Sequence, residues 1–215
     1  MTCATGRPGN TSDVRPSPSS RLLRHGFRAL ARARSARALH PRGDVWAGTV
    51  LRHGLSPVTG VPWIDTPGRD SALVRLSRGA GLPSPWPDVL GLALRVRSPG
   101  GDPWDLLLST TLGRRLPWPR RAADRGVHSS IAAFRAPVGP LLVGARFRGG
   151  RFLLAVAAPR GPWRPFADLV LDERVDVDVT FEPVLNPPAG LVVPERWRRL
   201  REPAYAGSRA GRSSV

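Results

Sequence analysis

The 215-residue sequence contains 24 prolines and 23 glycines, about twice the usual combined share, and this constrains the fold more than any other feature. Proline removes a backbone donor and glycine loses the most conformational freedom in a helix, so a helical bundle is excluded. Apolar residues make up 41% of the chain and charged residues 23%, enough to build a core and incompatible with wholesale disorder. Short strands joined by turns are the architecture that remains.

Eight such strands are expected after Asp44: near Val45–Leu51, Ala72–Ser77, Leu90–Val96, Asp105–Thr111, Leu141–Phe147, Phe152–Ala158, Leu169–Glu173 and Val175–Phe181. The last has the most regular pattern, with Val175, Val177, Val179 and Phe181 alternating with Asp176, Asp178 and Thr180. Eight strands with almost no helix between them predict a mainly β protein, an eight-stranded antiparallel β-barrel, because closure removes exposed edges. Residues 1–20, rich in Pro, Ser and Gly, are expected to form a disordered tail, and 206–215 a flexible one. The segment from 21 to 205 then forms a single domain. Leu22, Leu23, Phe27 and Leu30 recur at helical spacing, so an amphipathic helix is expected over Arg21 to His40, and a short C-terminal helix near Glu195 to Arg201.

Cys3 is the only cysteine, so neither an intramolecular disulfide nor a thiolate cluster can form, and a reducing compartment is expected. No secretory apolar run and no stretch long enough to span a bilayer is visible, which reads as a soluble cytoplasmic chain. The net charge is +17, and all 33 basic residues are arginine. Nine of these fall in residues 1–42 beside the single acid Asp13, which opens the alternative of a non-catalytic protein that binds nucleic acid or another polyanion through an Arg-rich arm.

The four histidines, His25, His40, His53 and His128, lack the spacing of a zinc-binding helix, and neither a nucleophile elbow nor a phosphate-binding loop is present. The acids Asp172, Glu173, Asp176 and Asp178 suggest a metal-dependent phosphodiesterase as a third option, although alternating valines make them the solvated face of a strand.

Three ordered segments carry a resemblance to a known family. Arg37-Ala-Leu-His40-Pro-Arg-Gly43 is similar to the catalase distal motif, with its arginine three residues before the essential histidine. Val74-Arg75-Leu76-Ser77 resembles the catalase strand that follows, and the likeness continues through Pro87 to Arg95 and through Trp104-Asp105-Leu106. Phe181-Glu-Pro through Pro187-Pro188 to Arg201-Glu-Pro-Ala-Tyr205 resembles the proximal segment, including Arg212 seven residues after the tyrosine. These segments cover about half of the chain. The arms and helical regions of full-size catalases have no counterpart, so the chain looks like the small catalase-related haem proteins.

The resemblance implies a haem b cofactor and a peroxidase or weak catalase acting on hydrogen peroxide or an organic hydroperoxide. Tyr205, the only tyrosine, would be the proximal iron ligand, with Arg201 one helical turn earlier stabilising its phenolate. His40 would shuttle the peroxide proton and Ser77 would fix its tautomer. Arg37, Arg75 and Arg212 would hold the haem propionates. Ser109 stands where catalases carry an asparagine, and Leu39 where they carry a valine. Both departures favour peroxidase or hydroperoxide chemistry over rapid dismutation.

Overall fold

The computed structural model describes residues 43–123 and 126–198. Ten strands are present among the described residues: β1 Gly43–Arg52, β2 Gly68–Arg78, β3 Leu90–Arg97, β4 Pro103–Leu112, β5 Leu116–Pro117, β6 Val127–Ser129, β7 Phe134–Ala136, β8 Gly139–Arg148, β9 Arg151–Ala157 and β10 Arg164–Val175. Eight of them close a ring in the order β1–β2–β3–β4–β6–β8–β9–β10, with every neighbour antiparallel, while β5 and β7 pair along β4 and β8. The molecule is therefore a closed antiparallel barrel. A ring of this size has an interior just wide enough to be filled by side chains.

Alternation along each strand decides what fills it. Val74, Leu94 and Leu106 lie in one cross-strand row, and Leu92 faces Leu108 in the next. These side chains join Val50, Val143, Phe152, Leu154, Val156 and Leu169 in a single buried core. The short helix α1, Pro62–Asp65, sets Trp63 edge-on to Phe166 and Trp104 at 5.5 and 6.4 Å, at the end of the barrel where β4 and β10 begin. Proline in the first turn of α1 loses nothing, since its missing donor would have had no helical partner. A second helical turn, α2, occupies 195–198, within the range expected for the C-terminal helix. No helix among the described residues is long and apolar enough to cross a membrane.

Six expected strands coincide with β1, β2, β3, β4, β8 and β9, and two expectations need correction. The separate strands Leu169–Glu173 and Val175–Phe181 are replaced by one long β10 that ends at Val175. Beyond it residues 176–180 form no ladder, and two of their carbonyls are held by side chains instead: Arg75 Nη1 donates to Val179 O at 3.4 Å and Arg95 Nη2 to Thr180 O at 2.7 Å. The eighth member of the ring is instead β6, Val127–Ser129, too short to show alternation. The expected helix over 21–40, both tails, and the site residues Arg37, His40, Arg201, Tyr205 and Arg212 lie outside the described residues.

Candidate functional site

The outer face of the barrel wall carries one row of small residues. Pairing runs Gly43↔Ser77, Ser77↔Gly91, Gly91↔Ser109, Ser109↔Ser129 and Ser129↔Gly144. Directly opposed residues in antiparallel strands share a face, and their immediate sequence neighbours Leu76, Leu92 and Leu108 point the other way, so this row faces outward. Ser77 and Ser109, expected to serve the same site, are thus two strand spacings apart, about 10 Å, on one strip with only Gly91 between them.

Gly91 leaves room for the Ser77 hydroxyl at that position. A Cβ there would sit 2.6 Å from Ser77 Oγ, and one at Gly43 would meet Leu76 O at 2.8 Å. The strip is consequently flat. Farther round the ring, Gly144 has the Trp163 ring where a Cβ would be, at 2.6 Å. Ser77 is half-buried, whereas Ser109 and Ser129 are fully shielded from solvent.

Arg75, two residues before Ser77 and on the same face, opens into a cavity of about 660 Å³. Its walls are the start of β1, Arg75, and the end of β10 with the segment that follows, including Arg174, Asp176 and Asp178. Volumes of roughly 300–1,000 Å³ are typical of small-molecule and cofactor sites. Burial lowers the Arg75 pKa from its ordinary value, with the Asp178 charge acting in the opposite direction. Arg174 pairs with Asp44 at the cavity edge.

A third cluster was not singled out as a site from sequence, although all three of its parts lie in the motifs quoted above. Asp105, completely buried, accepts from Arg95 Nε at 2.7 Å and Nη2 at 2.6 Å, and from the Glu182 backbone N–H at 2.7 Å. Its own N–H donates to Asn186 O at 2.6 Å. The Arg95 guanidinium also lies over the Phe181 ring, 5.4 Å from its centre, and the hydrogen bond to Asp105 raises its pKa further. This cluster fastens the chain after β10 to the outside of β3 and β4. The available signal was Arg95 flanked by Leu94 and Val96 and Asp105 as the one charge of an apolar strand, since charges in such places must be paired.

The other titratable groups among the described residues do not gather into a cluster. Among the described residues no group of three His, Cys, Asp or Glu side chains could hold a metal, and Asp172, Glu173, Asp176 and Asp178 are exposed, as a solvated face requires. His128 is fully buried inside the barrel, edge-on to Phe152 at 5.8 Å, and neither ring nitrogen has a hydrogen-bond partner among the described residues. Burial drives its pKa down to about 4; the nearby Ala145 backbone opposes this weakly, its approach falling short of a formed hydrogen bond. His53 instead lies on the surface, 3.0 Å from Asp168.

No protein-family model matches the chain, and no curated protein does. Solved structures do match. A fungal catalase aligns with TM-score 0.53 at 13% identity, over 91% of this chain and 62% of its own, and a bacterial catalase with TM-score 0.53 at 14% identity, over 95% and 62%. The chain spans less than two thirds of either protein, and at this identity the likeness is one of fold: the barrel is catalase-like.

Proposed function

We propose that the chain is a haem-dependent oxidoreductase that acts on hydrogen peroxide or an organic hydroperoxide. The observation that carries this reading is the strip on which Arg75, Ser77 and Ser109 share one outer face of a catalase-like barrel, beside a cavity of about 660 Å³. The described residues fit a flat group with an anionic edge. Gly43 and Gly91 leave no side chain to lift such a group from the wall, and Arg75 offers a permanent, partly desolvated cation. Asp176 and Asp178 also line the cavity, and the Asp178 charge acts on Arg75 itself, so an anionic edge would have to share Arg75 with that carboxylate.

Bound haem would supply the iron at which the peroxide O–O bond breaks. The work of the chain is to hold that group and to move one proton. Arg75, with Arg37 and Arg212, would bind the propionates through guanidinium forks, and Tyr205, made anionic by Arg201, would ligate the iron. His40 would accept the proton from one peroxide oxygen and return it to the other, for which a neutral imidazole is suited near pH 7. Ser77 Oγ would accept from the second imidazole nitrogen and fix the tautomer, while the Ser109 hydroxyl offers one donor to the peroxide.

The test is an absorption spectrum of the full chain purified after expression with haem supplied. A Soret band with stoichiometric haem supports the reading. A colourless, folded protein that retains nucleic acid in a salt-dependent manner would replace it with the polyanion-binding alternative.

A further inference from the structure

At the end of the barrel opposite α1, the β2–β3 loop and the β4–β5 hairpin are held side by side. The Asp88 carboxylate accepts from the backbone N–H of Ala80 at 2.8 Å and of Leu82 at 3.2 Å, and Arg78 donates to the carbonyls of Leu82 and Trp86. Two backbone bonds, Asp88 N to Arg120 O at 2.9 Å and Arg120 N to Asp88 O at 2.7 Å, tie this loop to the chain after β5. Leu112 and Leu116 face each other across the hairpin, and Trp118 N donates to Thr110 O at 2.9 Å. The loops therefore have a fixed shape.

From that fixed shape Leu82, Trp86, Leu112, Leu116 and Trp118 are 44, 62, 49, 36 and 40% exposed. They are five of the ten exposed large apolar side chains among the described residues, and they include both exposed tryptophans. Burial of their own loop cannot explain them, since the loops are already hydrogen-bonded. Leu112 to Arg121 contains four arginines and no acid, and Arg78 to Pro87 contains no acid either. Arg114 is engaged, donating to Ala158 O and lying over Trp163 at 5.2 Å. Arg115 and Arg121 are exposed and make no ion pair with a described residue.

We propose that this loop pair docks on an anionic lipid surface. Tryptophan partitions to the boundary between headgroups and acyl chains, and arginines beside it gain from a negatively charged leaflet. Leucine discriminates between the occupants. Nucleic acid offers phosphates to arginine and base faces to tryptophan, but no apolar phase for Leu82, Leu112 and Leu116. A second copy of the chain is disfavoured by charge, because a two-fold contact brings the same patch from both partners together, arginine against arginine with no acid between.

The experiment is co-sedimentation of the full chain with phosphatidylcholine vesicles, with and without phosphatidylserine. Binding should require phosphatidylserine, and Trp86→Ala with Trp118→Ala, or Arg115→Glu with Arg121→Glu, should each weaken partitioning by about tenfold or more. All four side chains are substantially exposed, so both double variants should melt as the wild type does, and quenching of tryptophan emission by lipids brominated on the acyl chain should disappear in the tryptophan variant. No sedimentation with either vesicle overturns the proposal, as does binding that neither double variant reduces, which would assign it to another part of the chain. Retention on single-stranded nucleic acid without vesicle binding, or a dimer that the tryptophan variant dissociates, would replace lipid with that partner.

Discussion

Arg95 and Asp105 face each other across β3 and β4 and form two charge-assisted bonds of 2.7 and 2.6 Å, with the carboxylate wholly buried. The same carboxylate accepts the Glu182 N–H, and the same guanidinium donates to Thr180 O, so one ion pair pins the strap that leaves β10 at two neighbouring points, Thr180 and Glu182. Removing one partner of such a pair strands the other. Asp105→Ala is expected to cost about 3–5 kcal/mol in denaturant unfolding. Replacing both with apolar residues, Arg95→Met and Asp105→Leu, should restore part of that stability, but the Glu182 and Asn186 amides should then exchange with solvent faster, because the acceptor that anchored Glu182 is gone. Unchanged exchange at these amides would show that the strap is held elsewhere.

That cluster also explains which parts of the molecule were legible in the sequence. The strands β1 to β4, β8 and β9 show alternation or an apolar run bounded by turn residues, and their positions follow from it. Val175–Phe181 has the best alternation in the chain and yet pairs only at Val175, since pattern reports which face of a segment is apolar and not whether a neighbouring backbone is free to pair. β6 escaped for the opposite reason: Val127–Ser129 owes its place to partners on both sides and carries no period of its own. Arg75, Ser77 and Ser109 were picked out by motif, but their shared face, with Gly91 on β3 between Ser77 on β2 and Ser109 on β4, is visible only once register is known.

Gly91 provides a direct check of that register. With a Cβ 2.6 Å from Ser77 Oγ, Gly91→Ala should destabilise the barrel by about 1–3 kcal/mol through overpacking. In Ser77→Ala the hydroxyl is absent and the nearest remaining atom, the Ser77 Cβ, is 3.9 Å away. The double variant should therefore regain most of the loss, and a double-mutant cycle should give a clear coupling between the two positions. Additive effects would contradict the pairing of β2 with β3.

Acid should weaken the fold through His128. Its imidazole is neutral in the barrel, with a pKa lowered by burial to about 4 from the ordinary 6.5, so over this interval the unfolded chain binds a proton that the folded chain does not. Stability consequently falls as pH is lowered from about 6.5 toward 4, by up to roughly 3 kcal/mol. His128→Leu should remove this contribution and leave the carboxylates' effect intact. The check is the difference between the wild-type and variant unfolding free energies across pH 4–7, which should change with pH; a constant difference would mean that the imidazole is not buried as a neutral group.

Tyr205→Phe and His40→Ala separate cofactor binding from proton transfer, as the haem reading requires. The first should abolish or strongly reduce haem incorporation while the far-ultraviolet dichroism of the barrel is retained. The second should keep haem near the wild-type level and lower peroxide-dependent turnover per haem by roughly 10² or more, the usual contribution of a positioned acid–base group. A wild-type Soret band in Tyr205→Phe would remove Tyr205 as the ligand, and unchanged turnover in His40→Ala would remove His40 as the base.

On the haem reading, Ser109 is expected to decide which reaction dominates. It lies in register with Gly91 and Ser77, shielded from solvent, and it presents one hydroxyl where the catalase resemblance implies an asparagine amide. Releasing oxygen from hydrogen peroxide demands that a second peroxide be held in the pocket after the first has reacted, and one rotating hydroxyl orients it less firmly than a planar amide with two donors and an acceptor. Oxidation of a small aromatic donor makes no such demand. The wild-type protein, quantified by haem, is therefore expected to oxidise donors faster than it evolves oxygen. Ser109→Asn should shift the ratio toward oxygen. The larger side chain enters a buried position, so the variant's melting temperature must be recorded beside the two rates: a stable, haem-replete Ser109→Asn with the wild-type ratio would remove Ser109 from the pocket, and dominant oxygen evolution by the wild type would refute the reasoning from a single donor while leaving the haem reading untouched.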